Sequence, residues 1–308
     1  MATEGLQSLG SRAILSYMYP RLNEMPANWV GNVGMYVPSD QASETHKWLG
    51  MAPAMREWIG GRHVEKPRDY GITIENKKFE GTIGVTLDEI RRDKTGLVQV
   101  RIDDLVRRAN NHWAKLLSEL IDAAETTVCY DGQFLVDTDH VDYNSGTQDN
   151  DITFAAATGT TPTVTEMVDA LLASFSQMYG FKDDQGEPIN EDVSNFLVMV
   201  PTTYWSVAHK AVNQELIGSG ETNSLNKGDV SISVVMNPRL TWTTKMMTFA
   251  TDSPVKPFIL QDEVPVTVSS KAEGSDYEHD YDAHEYGVKA VRNVGPGMWQ
   301  SCCMTTFT

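Results

Sequence analysis

The sequence predicts an α+β protein with one long helix, a β-hairpin lacking its own core ahead of it, and a compact strand–helix–strand unit behind it. Three observations carry this. From Leu97 to Glu125 apolar residues recur in steps of three, four and one (Val98, Ile102, Leu105, Val106, Ala109, Trp113, Leu116, Leu117, Leu120, Ile121, Ala124), which is one face of a helix. Between residues 57 and 86, β-branched runs such as Ile72-Thr73-Ile74 and Thr82-Ile83-Gly84-Val85 flank the turn Pro67-Arg68-Asp69, the pattern of a hairpin. After residue 195 apolar strand candidates alternate with a helical segment, as in a layered α/β unit.

The helix comes first because it is longest, about 43 Å at about 1.5 Å per residue. That length makes it a spine for other layers, and its apolar repeat is too short for a coiled coil with a partner. Lys94-Thr95-Gly96 precede it, and Thr126-Thr127-Val128 with Asp131-Gly132 end it.

Residues 1–47 read as an arm. A short amphipathic piece, Ser11 to Tyr19, precedes Pro20, Pro26, Gly31, Gly34 and Pro38, and Trp29, Val30, Val33, Met35 and Tyr36 follow neither period. So many aromatics suit a segment that docks on a surface. In the hairpin, Glu57–Lys66 and Tyr70–Thr86 form the two strands, studded with Arg62, Lys66, Arg68, Lys77 and Lys78. A lone hairpin without an apolar face is unstable in water, so it needs a partner surface, most simply another copy of the chain.

Behind the spine lie Cys129-Tyr130-Asp131-Gly132, Phe134 to His140, and a polar loop from Asp142 to Asp151 expected to be mobile. Thr165 to Tyr179 is a second amphipathic helix that Thr163 or Thr165 can cap. Phe196–Val200, ended by Pro201, is a buried strand. Tyr204–Ile217 reads as a helix, and Val230–Met236, Thr243–Thr251, Phe258–Val268 and Glu285–Ala290 as strands before the break Gly295-Pro296-Gly297.

The 308 residues are 41% hydrophobic and 22% charged, a folded rather than a disordered composition. No apolar run approaches a membrane span, and the N-terminus lacks the pattern of a secretory signal, which leaves the protein in the cytoplasm where it is made. Three cysteines, two of them adjacent, form neither a disulfide framework nor a zinc site and read as reduced structural thiols. Charge is uneven: residues 1–130 carry 16 Lys/Arg against 17 Asp/Glu, and residues 131–308 carry 9 against 25. An acidic half repels phosphate backbones, which excludes a basic nucleic-acid grip but not a container for nucleic acid.

Two constellations invite chemistry. His140 with Asp137 and Asp139, eleven residues after Cys129, offers a Cys–His pair or a metal cluster, yet lacks nucleophile-flanking sequence and a full ligand set. Asp276-Tyr277-Glu278-His279-Asp280-Tyr281-Asp282 alternates as a strand would, lining up four carboxylates that suit either Ca²⁺ or a solvated edge that discourages strand pairing, the latter being the better account. No phosphate-binding, dinucleotide-binding, zinc-protease or nucleophile-elbow motif is present. The expectation is no catalytic site, no cofactor and no bound metal.

Three stretches together resemble the Mu-like phage major head subunit: Trp48–Gly50, Glu57–Gly60 and Asn76–Val85; Cys129–Gln133 with Asp137–His140; and Pro254–Ile259 with Glu285–Val288, Arg292–Gly295 and Trp299-Gln300. They keep the family's order over roughly residues 45–300. The resemblance implies the tailed-phage major capsid (HK97-like) fold. It divides the chain into an N-terminal arm (1–47), an extended loop (48–87), a peripheral domain with its spine at 97–125 (88–195), an axial α/β domain (196–284) and a return to the peripheral domain (285–308). It further implies a virion subunit assembled in the host cytoplasm into hexamers and pentamers around double-stranded DNA, without sequence-specific binding. Portal, decoration and scaffolding proteins are the implied partners, the scaffold a separate protein because the arm leaves no room for a cleaved leader. Arg62, Lys66, Arg68, Lys77 and Lys78 are the expected subunit-interface residues. A nanocompartment shell that encloses an enzyme within the same fold is the alternative.

Overall fold

A computed structural model describes residues 11–22, 29–49, 69–92, 96–217, 220–226, 230–253 and 255–308. The arm contains helix α1 (Ser11–Leu22), the single turn α2 (Val30–Val33) and strand β1 (Gly34–Pro38), followed by β2 (Ser43–Leu49). It docks on the chain's own body. Ile14 and Met18 are buried, Tyr17 donates to Asp103 at 2.9 Å, and Arg21 pairs with the same carboxylate.

The hairpin differs from expectation. β2 pairs antiparallel with β3 (Asp69–Glu75), Ser43 opposite Glu75 and Leu49 opposite Asp69. The partner of residues 69–75 is therefore 43–49, and residues 57–66 lie outside the described residues. β4 (Lys77–Thr86) leaves the hairpin altogether and joins a four-stranded sheet. Its order is β1-β13-β14-β4, with β13 (Phe258–Lys271) and β14 (Ala283–Pro296) as the long central pair. β1 runs parallel to β13, and the other pairs are antiparallel.

The spine is not one helix. After the short α3 (Leu87–Arg92), α4 spans Leu97–Asn110 and α5 spans His112–Asp122, separated at Asn111, whose φ and ψ are −75° and 4°. The Asn110-Asn111 pair is a weak helix former that competes for backbone hydrogen bonds. The break has a packing consequence. Val98, Ile102, Leu105 and Val106 of α4 join a small core with α1 and the four-stranded sheet. Ala114, Leu117 and Ile121 of α5 join a second, larger core. The spine passes from one core to the other at the bend.

The larger core surrounds a five-stranded sheet. A two-residue ladder of β5 (His140–Val141) and β6 (Thr147–Gln148) precedes β7 (Asp151–Phe154), so the segment expected to be mobile is ordered. Asn150 is fully buried there, and its side-chain amide donates to Leu135 O at 2.9 Å. Helix α6 (Val164–Tyr179) starts at Thr163, which accepts from the Glu166 N–H while Glu166 accepts from the Thr163 N–H, a capping box. β8 (Asn195–Val200) and α7 (Trp205–Asn213) follow, with a two-residue ladder of β9 (Leu216–Ile217) and β10 (Glu221–Thr222) next. β11 (Ser231–Met236) and β12 (Lys245–Ala250) then flank β8. The last strand, β15 (Cys302–Phe307), inserts between β12 and β7 to give the order β11-β8-β12-β15-β7.

Sheet membership thus cuts across the contiguous ranges read from sequence. β13, inside the stretch assigned to the axial unit, lies in the four-stranded sheet, while β15, assigned to the peripheral return, lies in the five-stranded one. The crossing between them is tight. A Cβ at Gly297 would sit 2.6 Å from the Lys256 carbonyl oxygen, so only glycine lets the two backbones pass.

Asp276–Tyr281, expected as a strand, is helix α8 at the turn between β13 and β14. Ser275 caps it by accepting from the Glu278 N–H, and Tyr277 and Tyr281, four residues apart, lie ring against ring at 4.8 Å.

Candidate assembly surface

His140 sits in a latch rather than a reactive site. Its ring is wholly buried, with Nδ1 2.6 Å from Asp131 Oδ2 and its plane stacked on Trp299 at 4.0 Å. Tyr130 donates to Gln300 Oε1 at 2.9 Å, tying the same loop to the C-terminal segment. Cys129 faces the Gly297 carbonyl oxygen, not His140. Burial first, and then the charge of Asp131, push its thiol far above the usual range, the opposite of an activated nucleophile. Cys302 and Cys303 are likewise buried free thiols, and burial raises Cys303 to about 12.

The four carboxylates of 276–282 do not line up. On a helix they splay, and Glu278 turns back to accept from the Gly274 N–H at 2.6 Å. Among the described residues no group of three or more His, Cys, Asp or Glu side chains is placed to hold a metal ion.

Of the five expected interface cations, Arg62, Lys66 and Arg68 lie outside the described residues. Lys77 and Lys78 are exposed on β4, opposite Arg292 and Val291 of β14.

A feature not anticipated lies beside them. Between the α4–α5 junction of the spine and the four-stranded sheet lies a groove of about 510 Å³. Leu105, Val266 and Val288 contribute apolar lining, and Arg108, Lys115, Arg239, Lys289 and Arg292 surround it. Arg292 is 4% exposed: its Nε donates to His112 Nδ1 at 3.1 Å, its Nη2 to Ala109 O at 3.2 Å, and its guanidinium lies over Trp113. A ring nitrogen that accepts must be unprotonated, and burial together with Arg292 and Lys115 lowers His112 to about 4. Arg108 and Lys115 pair with Asp104 and Glu119 on their own helices. Among the described residues Arg239, Lys289 and Arg292 have no carboxylate at ion-pair distance. Glu80, the acidic residue of the lining, accepts from Thr82 Oγ1. The cations come from positions up to 184 residues apart, so no local motif announces them.

Residues 16–166 match the family model of the Mu-like prophage major head subunit gpT. The major capsid protein of Escherichia phage Mu is 33% identical over 122 residues, 40% of this chain and 40% of that protein. The matched region therefore spans well under two thirds of that relative. Among solved structures, the procapsid of bacteriophage JBD30 aligns with 96% of this chain and 73% of its own at 23% identity and a TM-score of 0.54. The mature capsid of bacteriophage PhiM1 aligns over 92% and 88% at 9% identity with a TM-score of 0.59. Over residues 16–166 the chain is similar to the Mu-like prophage major head subunits, and its fold is that of tailed-phage capsid proteins.

Proposed function

We propose that this chain is the major head subunit of a Mu-like phage or prophage, which assembles as hexamers and pentamers into an icosahedral shell around double-stranded DNA. The observation that carries the reading is the sequence match to the Mu major capsid protein. That match also favours a phage head over a nanocompartment shell of the same fold. The net charge of −17 suits a wall that confines DNA without gripping it. A buried, high-pKa thiol and a latched histidine favour a structural role over an enzymatic one. Scaffold, portal and decoration proteins would be separate partners, and assembly would take place in the host cytoplasm. Among the described residues no helix is long and apolar enough to cross a membrane.

In this reading the four-stranded sheet with α1 and α4 is the peripheral domain, and the five-stranded sheet with α6 and α7 the axial domain. Arg62, Lys66, Arg68, Lys77 and Lys78 would meet acidic surface of a neighbouring copy. Negative-stain imaging of the purified protein tests the reading, and particle contents separate its two forms, since packaged DNA and a portal vertex mark a phage head. Changing Arg62, Lys66 and Arg68 together to Glu should leave circular dichroism unchanged while reducing particle yield. Assembly as efficient as wild type at low salt would remove the loop's charge from the account.

A further inference from the structure

We infer that helix α8 of one copy docks in the cationic groove beside the spine bend of another, a contact that rests on the shell-forming reading above. The groove lies on a chain of net charge −17, yet three of the nine Lys/Arg in residues 131–308 converge on it as Arg239, Lys289 and Arg292. Arg292 is already desolvated, its guanidinium over the Trp113 ring, and Asp262, whose charge acts on it, is beyond ion-pair distance. The cost of stripping its water has therefore been met in the free subunit, and an incoming carboxylate gains from a preorganised charge.

Helix α8 has the complementary surface. Asp276, Asp280 and Asp282 are exposed, and Tyr281 is 67% exposed between them. Glu278 is occupied with its own turn, and Tyr277 packs near Gly84, so the acidic and aromatic side that remains points away from the body. An aromatic ring flanked by carboxylates matches an apolar floor rimmed by cations, the composition of an interface anchor with a charged edge. The basic loop bearing Arg62, Lys66 and Arg68 is the wrong sign for this groove.

The contact is between copies because the chain cannot make it with itself. From Asp282, the residue before β14, to Lys289 is seven steps along extended strand, about 23 Å at about 3.3 Å per residue. Groove and helix are different surfaces of one subunit, so the pairing is head to tail rather than a two-fold dimer, and in a shell it would run around a ring of copies.

Two sets of variants test it. Arg239→Glu with Lys289→Glu, and separately Asp276→Lys with Asp280→Lys, change only exposed side chains. Each pair should keep the wild-type circular dichroism and lower particle yield about tenfold or more, and the four changes in one chain should restore yield. Tyr281→Cys with Lys289→Cys, oxidised after assembly, should give a ladder of covalently linked chains that neither single variant gives. A wild-type protein that forms no particles would overturn the shell reading and this contact with it. Particles from wild type, undiminished yield from both charge-reversed pairs and no ladder would overturn the contact alone and leave the shell standing.

Discussion

The two cores of this subunit are built to different standards. Among the described residues, 38 buried apolar side chains gather around the five-stranded sheet and ten around the four-stranded one. In the first, β8 reads Phe196 to Val200 without a polar break, every residue buried, as a strand covered on both faces must. In the second, β4 alternates between exposed and half-buried residues, with Val85 alone fully buried. The start of β13 is held by the larger core as well, through Phe258 and Leu260, so the smaller cluster serves mainly the far ends of the long strands β13 and β14. The difference teaches where the chain is packed most extensively: the larger core buries strands on both faces, and the smaller one leaves more of its sheet exposed.

Substitutions should separate the two, the largest effect coming first. Leu117→Asp puts a carboxylate at a position 0% exposed in the larger core, at a cost of several kcal/mol that rivals the stability of a domain. No soluble subunit is expected, and recovery of assembly-competent protein would show that this face is not core. Ile102→Ala in the smaller core should cost about 2–4 kcal/mol and act locally. Hydrogen exchange should speed up in α1, α4 and β4 while β8 and β12 stay protected; uniform acceleration would mean that the two cores melt as one. Gly297→Ala, forced against the Lys256 carbonyl, should lower stability by about 1–3 kcal/mol, read as a shift in urea midpoint without a change in slope.

The smallest effect is one of pH. His112 sits at the bend between the cores with its pKa lowered to about 4, chiefly by burial. As pH falls from about 6.5 the unfolded chain takes up a proton that the folded one refuses, so stability drops between about 6.5 and about 4. His112→Gln should flatten that slope, and an unchanged slope would place the titrating group elsewhere.

Much of the larger core was legible in the sequence because its signals are local. The apolar run before Pro201 gave β8, and of the two cap candidates Thr163 and Thr165 the structure uses Thr163, with Glu166 three positions on completing the box. The rest was harder to read, for physical reasons. Asn110-Asn111 is a mild helix breaker that the continuous apolar stripe overrides by eye, yet it redirects α5 into a different core. Asp276–Tyr281 satisfies a period of two and an i, i+4 aromatic pair at once, and Ser275 with Glu278 was the capping signature that decides for helix. The pairing of β2 with β3 spans nineteen residues of intervening chain, and β15 is a strand whose partners all lie far upstream. The groove is a product of tertiary structure alone, assembled from α4, α5, the turn at Arg239 and β14.

The central claim is that copies of this chain assemble into a closed shell. Negative-stain electron microscopy of the purified protein, expressed alone and with a scaffolding protein from a Mu-like phage, tests that most directly. The account predicts closed icosahedral particles. A monodisperse monomer at high concentration under both conditions would contradict it.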